Sequence, residues 1–181
     1  MFTFETQHAI GKLGEHLIRR HYESLKNDEG GNRFICRDAK FDEQMKGADL
    51  FIINDELGTR YVEVKTDTKM NDTDNFALEI MIVQDDGTKK IGAVMKTFPD
   101  YLFYWQHPTA LVYWWKPEDL VPHILEWLSQ DAYLIVRSEN KNFFSRTLLV
   151  PKDVMMKTGV VNEMMVSYHV LEDTLANETK V

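Results

Sequence analysis

Asp49, Glu63 and Lys65 are the residues of this chain whose types and spacing best suit chemistry. Asp49 opens the apolar run Leu50-Phe51-Ile52-Ile53, and Glu63 and Lys65 alternate with Val62 and Val64. Gly58 lies between the two runs and suits a short hairpin loop. With Glu56-Leu57-Gly58 as a three-residue loop, residue 49 faces 65 and residue 51 faces 63. Side chains alternate with period two along a strand. Leu50, Ile52, Val62 and Val64 therefore share an apolar face, and Asp49, Glu63 and Lys65 share the other. A one-residue slip would turn one apolar set outward, so the hydrophobic pattern supports this parity. Two acids and an amine on one face need partners, because crowded carboxylates repel. A divalent cation relieves that repulsion. Magnesium takes oxygen ligands and keeps several waters, so Asp49, Glu63 and the Val64 carbonyl suffice as the protein's share. Such an ion polarises a phosphodiester and turns a bound water into a nucleophile. Lys65 would orient that water or neutralise charge growing on the phosphoryl oxygens. The competing interpretation is a solvated strand face with a surface ion pair.

The elements that would position these groups follow from periodicity. Ile10, Leu13, Leu17, Ile18, Tyr22 and Leu25 form one helical stripe within the first 26 residues. A polar, glycine-rich turn over 27–32 ends it. Strands are predicted over 33–37, 49–54, 60–66 and 76–83, with a charged loop over 38–46 and polar turns at 69–74 and 85–87. The stretch 89–96 is ambiguous, and a short helix is predicted over 99–105 with Thr97 as its cap. A strand over 111–115 precedes a helix over 117–129, which opens on Pro117 with acids in its first turn. Strands over 132–137 and 146–150 follow. One domain over 1–172 is predicted, with a frayed polar tail over 173–181.

Gly47-Ala48-Asp49 followed by Val62-Glu63-Val64-Lys65 resembles the active-site signature of the PD-(D/E)XK nuclease superfamily, which includes restriction enzymes, archaeal Holliday junction resolvases and phage recombination nucleases. The family pattern is an acid at the start of one strand, then E-x-K on the next. Ala48 stands where the family often has proline. E-x-K alone is a weak signal, met by chance about once in a chain of this composition; its conjunction with the preceding helix, loop and Gly-Ala-Asp strand is stronger. Phe76-Ala77-Leu78-Glu79 and Thr97-Phe98-Pro99-Asp100-Tyr101 are similar to segments of phage-type members. The resemblance implies an α/β fold with a restriction endonuclease-like αβββαβ core, a mixed sheet flanked by helices. It also implies a magnesium-dependent nuclease, with manganese expected to substitute, acting on duplex or branched DNA. In many members a helix before the strands contributes a further acid, and Glu15 resembles it. On a helical wheel Glu15 falls roughly 110° from the centre of the apolar stripe, at its border. Its alternative is an exposed carboxylate paired with Arg19 at i+4. The expected site is thus Asp49, Glu63, Lys65 and Glu15, with Asp49, Glu63, Glu15 and the Val64 carbonyl as metal ligands; Glu79 is left open between the site and a plain sheet-face acid.

Composition narrows the remaining classes. With 181 residues, 44% hydrophobic and 28% charged, the chain has the make-up of a globular protein. No apolar run is long enough for a membrane span, and the N-terminus lacks a signal-peptide pattern. A single cysteine, Cys36 in Phe34-Ile35-Cys36, excludes an internal disulfide and fits a buried small hydrophobe. A cytoplasmic location is expected. The six histidines show no zinc-ligand spacing. The aromatic runs 101–105 and 113–115 suit core packing better than base stacking. A net charge of −8 cuts against extensive phosphate contact. It favours the rival class, a non-catalytic nucleic-acid-binding or assembly module with the same fold. A homodimer is left open.

Overall fold

The amphipathic stripe at the N-terminus forms α1 (Phe4–Ser24), which buries Ile10, Leu13, Leu17 and Ile18. The computed structural model describes residues 4–139 and 142–178 of the chain. After a turn come β1 (Ile35–Asp38), the single-turn α2 (Phe41–Gln44), β2 (Leu50–Asn54) and β3 (Gly58–Asp67). A short turn of helix, α3 (Met70–Thr73), leads to β4 (Asn75–Gln84), β5 (Lys89–Ile91) and a 3-10 turn over Ala93–Met95. The chain continues through β6 (Tyr101–Gln106), β7 (Leu111–Trp115), α4 (Pro117–Ser129), β8 (Ile135–Glu139), β9 (Phe143–Pro151), α5 (Lys152–Lys157), β10 (Asn162–Met165) and α6 (Tyr168–Glu178).

These strands build two sheets. The larger is six-stranded, in the order β1-β2-β3-β6-β7-β10, and the smaller is four-stranded, in the order β5-β4-β9-β8. The larger sheet is mixed: β3 and β6 run parallel, and its other neighbours are antiparallel. Leu50, Ile52, Val62, Val64, Phe103 and Trp105 project from one face onto α1 and α6. On the opposite face, Leu102, Tyr104, Tyr113 and Trp115 pack against Phe76, Leu78, Leu148 and Val150 of the smaller sheet and against Leu120 and Ile124 of α4. The larger sheet is thus the central layer of the fold.

Three differences from the sequence-based expectation have physical causes. The short helix predicted over 99–105 is strand β6, the central partner of β3. Its residues Leu102 to Trp105 are buried on both faces, so the run shows no alternation and local pattern does not identify it as a strand. The parallel crossover from β3 to β6 contains no long helix. Where an αβββαβ order would place one, the chain has only α3 and then the β4–β5 excursion into the second sheet. The tail expected to fray from residue 173 is helical to Glu178, because Val170 and Leu171 lie in the core beneath α1 and the buried Thr174 hydroxyl donates to the Val170 carbonyl at 2.7 Å. Residues 179–181 lie outside the described residues. The helix predicted over 117–129 has those bounds in α4.

Candidate functional site

The β2–β3 hairpin sets the site, and its register differs from expectation by two residues. Leu50 pairs with Val62 and Asn54 with Gly58, so the loop is Asp55-Glu56-Leu57 rather than Glu56-Leu57-Gly58. A shift of two preserves the side-chain parity. Asp49 consequently lies beside Glu63, where the sequence-based register put Lys65. Val62 and Val64 face α1; Glu63 and Lys65 face the second sheet, next to Leu102 and Tyr104 of β6.

Asp49 is held by backbone on both sides. Its N–H donates to the Val62 carbonyl at 2.7 Å, and its carbonyl accepts from the Ala39 N–H at 2.9 Å. Its carboxylate Oδ2 accepts the Val64 N–H at 2.8 Å, so the side chain is pinned to β3. The loop before it is braced by a fork in which both Arg37 terminal nitrogens donate to Glu43 at 2.9 Å. Gly47, at φ +104°, turns the chain into β2 in a conformation that L side chains rarely adopt. Ala48 is fully buried and its N–H donates to the Glu43 carbonyl at 3.2 Å. A proline at this position would have no N–H to donate to that bond.

Glu63 is buried, with 6% of its surface exposed, and its Oε1 lies 2.5 Å from Lys65 Nζ. The Lys65 side chain keeps 40% of its surface exposed. Burial raises the Glu63 carboxyl above its ordinary range; Lys65 opposes that rise and neighbouring Asp49 adds to it. Asp49 is likewise raised, first by burial and then by the charge of Glu15, against the pull of Lys65 and the Val64 N–H. Burial alone would lower Lys65. The charges of Glu63 and Asp49 and the hydrogen bond to Glu63 outweigh it, so the amine is held above its ordinary value and is an ammonium at neutral pH.

Glu15 reaches this cluster from the other side of β3. Gly14 makes that possible: a Cβ there would lie 2.1 Å from Thr66 Oγ1 and 3.4 Å from Val64 Cγ1. The helix can approach the strand this closely only without a side chain. Glu15 pairs with Lys12 at 2.8 Å, not with Arg19, which pairs with Asp38. Its side chain is 14% exposed. The charge of Glu15 acts on Asp49, and that of Lys12 opposes it.

Two further groups join the cluster without having been singled out for certain from sequence. Glu79 on β4 adds its charge to those that raise Lys65 and lines the same cavity as Lys65. Lys96, just after the 3-10 turn, lies against Gly47, where an added Cβ would be 3.2 Å from its Nζ, and its charge lowers Glu63. It comes from the stretch whose structure was ambiguous, and no local pattern marks it. Beyond Lys65 a cavity of about 420 Å³ opens between the sheets, bordered by Lys65, Thr68, Lys69, Glu79, Tyr104 and Ser138.

Among the described residues, no group of three or more histidine, cysteine, aspartate or glutamate side chains is arranged to hold a metal ion. The donor chemistry nevertheless fits a divalent oxygen-seeking cation: two neighbouring, partly or fully buried carboxyls with raised proton affinity. Among the described residues, no helix is long and apolar enough to cross a membrane. Comparison of the chain with family models, curated proteins and solved structures finds no match.

Proposed function

We propose that this protein is a magnesium-dependent nuclease that hydrolyses DNA phosphodiester bonds at the Asp49–Glu63–Lys65 cluster. The observation that carries the proposal is the half-buried Asp49 carboxyl beside the buried Glu63 carboxyl, with Lys65 at 2.5 Å from Glu63. An arrangement of this kind is costly unless a cation and an anionic substrate use it. The strand order supports it too: an N-terminal helix, three antiparallel strands carrying the acid and E-x-K residues, then a parallel fourth strand. That order is consistent with a PD-(D/E)XK-type core, with the crossover rebuilt as β4 and β5.

In this mechanism Asp49, Glu63 and the Val64 carbonyl hold the cation. When bound, it lowers the pKa of a water and offsets charge on the phosphate. Lys65, protonated at neutral pH, does not act as a general base. It donates a hydrogen bond to a non-bridging phosphoryl oxygen as charge accumulates there, and a donor aimed at developing charge is worth several kcal/mol. The Val64 N–H keeps the Asp49 carboxylate aimed through one oxygen. Glu15, whose charge acts on Asp49 and which pairs with Lys12, would be the further acid that completes the metal site.

The test is cleavage of duplex, single-stranded, flapped and branched DNA with magnesium or manganese, alongside calorimetric titration of each metal. Wild type is expected to bind metal and cut at least one substrate, and Asp49→Asn and Glu63→Gln to lose both properties while remaining folded. Metal binding by neither ion, or near wild-type cutting by either variant, refutes the assignment.

A further inference from the structure

The charges of Lys12, Lys65 and Lys96 act on the Asp49 and Glu63 carboxyls. Two of these cations are committed: Lys65 pairs with Glu63 at 2.5 Å and Lys12 with Glu15 at 2.8 Å. Lys96 is half-buried and forms no ion pair among the described residues. An unpaired ammonium taken partly out of water is costly, and an anion that comes to lie beside it offsets that cost.

The position of Lys96 is fixed from three directions. Before it, Ala93 and Val94 of the 3-10 turn are buried, and the Gly92 N–H donates to the Ile80 carbonyl at 3.0 Å, which fastens the turn to β4. The Lys96 N–H closes that turn on the Ala93 carbonyl at 3.3 Å. After it, the Phe98 ring packs 4.8 Å from that of Tyr61 and against Ala48 and Phe51. Along its stem, Lys96 lies over Gly47, where an added Cβ would be 3.0 Å from its Cδ and 3.2 Å from its Nζ. Gly47 combines this close approach with φ +104°, so both its missing side chain and its backbone favour glycine. The ammonium is thereby held on the loop that delivers Asp49 to β2, whereas Lys65 lies on β3 beside Glu63. The two amines address different points of any strand bound at the site.

The surroundings give an anchored cation a purpose. Asp49 and Glu63 are flanked by Glu15 and Glu79, and the whole chain carries a charge of −8. DNA brought to such a cluster is repelled except where a cation meets a phosphate. We infer that Lys96 anchors the DNA strand by pairing with a backbone phosphate next to the one that is cleaved. The inference rests on the nuclease assignment above and deepens it. Lys65 meets charge that grows during hydrolysis, and Lys96 holds charge that is present throughout. An interaction of equal strength in ground and transition state lowers KM and leaves kcat alone.

The experiment measures magnesium-dependent kinetics on the DNA form that the wild type cuts best. Binding of the same DNA, fluorescently labelled, is followed by anisotropy over a salt series with calcium in place of magnesium. Lys96→Ala is expected to raise KM and the DNA Kd about tenfold, with kcat within about twofold of wild type. The slope of log Kd against log salt is expected to fall by about one, as one phosphate contact is lost. Lys96→Gln, which keeps most of the stem, should repeat both effects, and Lys96→Arg, which keeps the charge, should recover most of the affinity and the slope. Magnesium affinity by calorimetry is expected to be unchanged or tighter in Lys96→Ala, since a neighbouring cation is gone. A DNA affinity and salt slope unaltered in both uncharged variants would overturn the inference and leave the nuclease assignment standing. Weakened magnesium binding, or a lower kcat with normal DNA binding, would overturn it too, because Lys96 would then support Glu63 without touching DNA. If the wild type cuts no DNA with either metal, the nuclease assignment fails and the inference falls with it.

Discussion

Replacing Lys65 by methionine tests whether the site is a strained internal charge cluster or an ordinary surface pair. The substitution keeps an unbranched side chain but leaves the buried Glu63 carboxyl, 6% exposed, beside Asp49 without its ion-pair partner, with the charge of Lys96 left to oppose the rise in its pKa. Removing one partner of a fully buried pair costs about 3–5 kcal/mol. Lys65 keeps 40% of its side-chain surface in water, so solvent screening reduces the expected loss to roughly 1–3 kcal/mol. The pH dependence follows from the sign of the carboxyl shifts. Glu63 and Asp49 are both raised in the folded protein, first by burial. The folded state thus holds its protons to higher pH than the unfolded chain, whose glutamates titrate near pH 4.3. Their contribution to stability is present below that value and is lost as pH rises, by up to about 1.4 kcal/mol per pH unit for each extra proton the folded state holds. Losing Lys65 widens the gap, so the deficit of Lys65→Met should be larger at pH 7.5 than at pH 5. Urea unfolding at the two pH values measures it. The double variant Lys65→Met/Glu63→Gln should recover at least half of the pH 7.5 loss, because the uncompensated charge is gone. A loss under about 0.5 kcal/mol at both pH values, with no recovery in the double variant, would mean a solvated surface pair.

Three other substitutions and one chemical probe bear on how the site is held. Gly14→Ala gains about 1 kcal/mol of helix propensity but meets Thr66 Oγ1 at 2.1 Å, and overpacking costs about 1–3 kcal/mol. Net destabilisation of up to about 2 kcal/mol is expected, relieved by adding Thr66→Ala; a Gly14→Ala protein more stable than wild type in urea would show that α1 does not press on β3. Ala48→Pro removes the N–H bonded to the Glu43 carbonyl and should cost about 1 kcal/mol or more, with DNA cleavage reduced as Asp49 shifts. An unchanged urea midpoint would separate that hydrogen bond from the site. Burial pushes the Cys36 thiol up to about 11, so its reaction with a disulfide reagent at pH 8 should run about a hundredfold slower than in the unfolded chain. Equal rates would contradict its packing beneath α1.

How much of this was legible beforehand depended on the range of the interactions involved. The parity of Asp49, Glu63 and Lys65 could be read from sequence alone. Strand side chains alternate with period two, so even a hairpin register displaced by two residues leaves the acids and the lysine on one face. The α1 stripe and the bounds of α4 were legible for the same reason, since each carries its own periodic pattern and start signal. Elements whose burial comes from distant partners were not. Strand β6 is covered on both sides, so its aromatic run lacks alternation, and α6 becomes helical against α1 although its own stripe is weak. The site divides along the same line. Sequence supplied the two acids and the lysine of one hairpin. Only the return of the chain through β4 and the 3-10 turn brought Glu79 and Lys96 to them, and only the packing of two sheets enclosed the cavity at Lys65. Local periodicity encodes which way a side chain points. What lies opposite it is decided by long-range closure of the tertiary fold, which no short window of sequence contains.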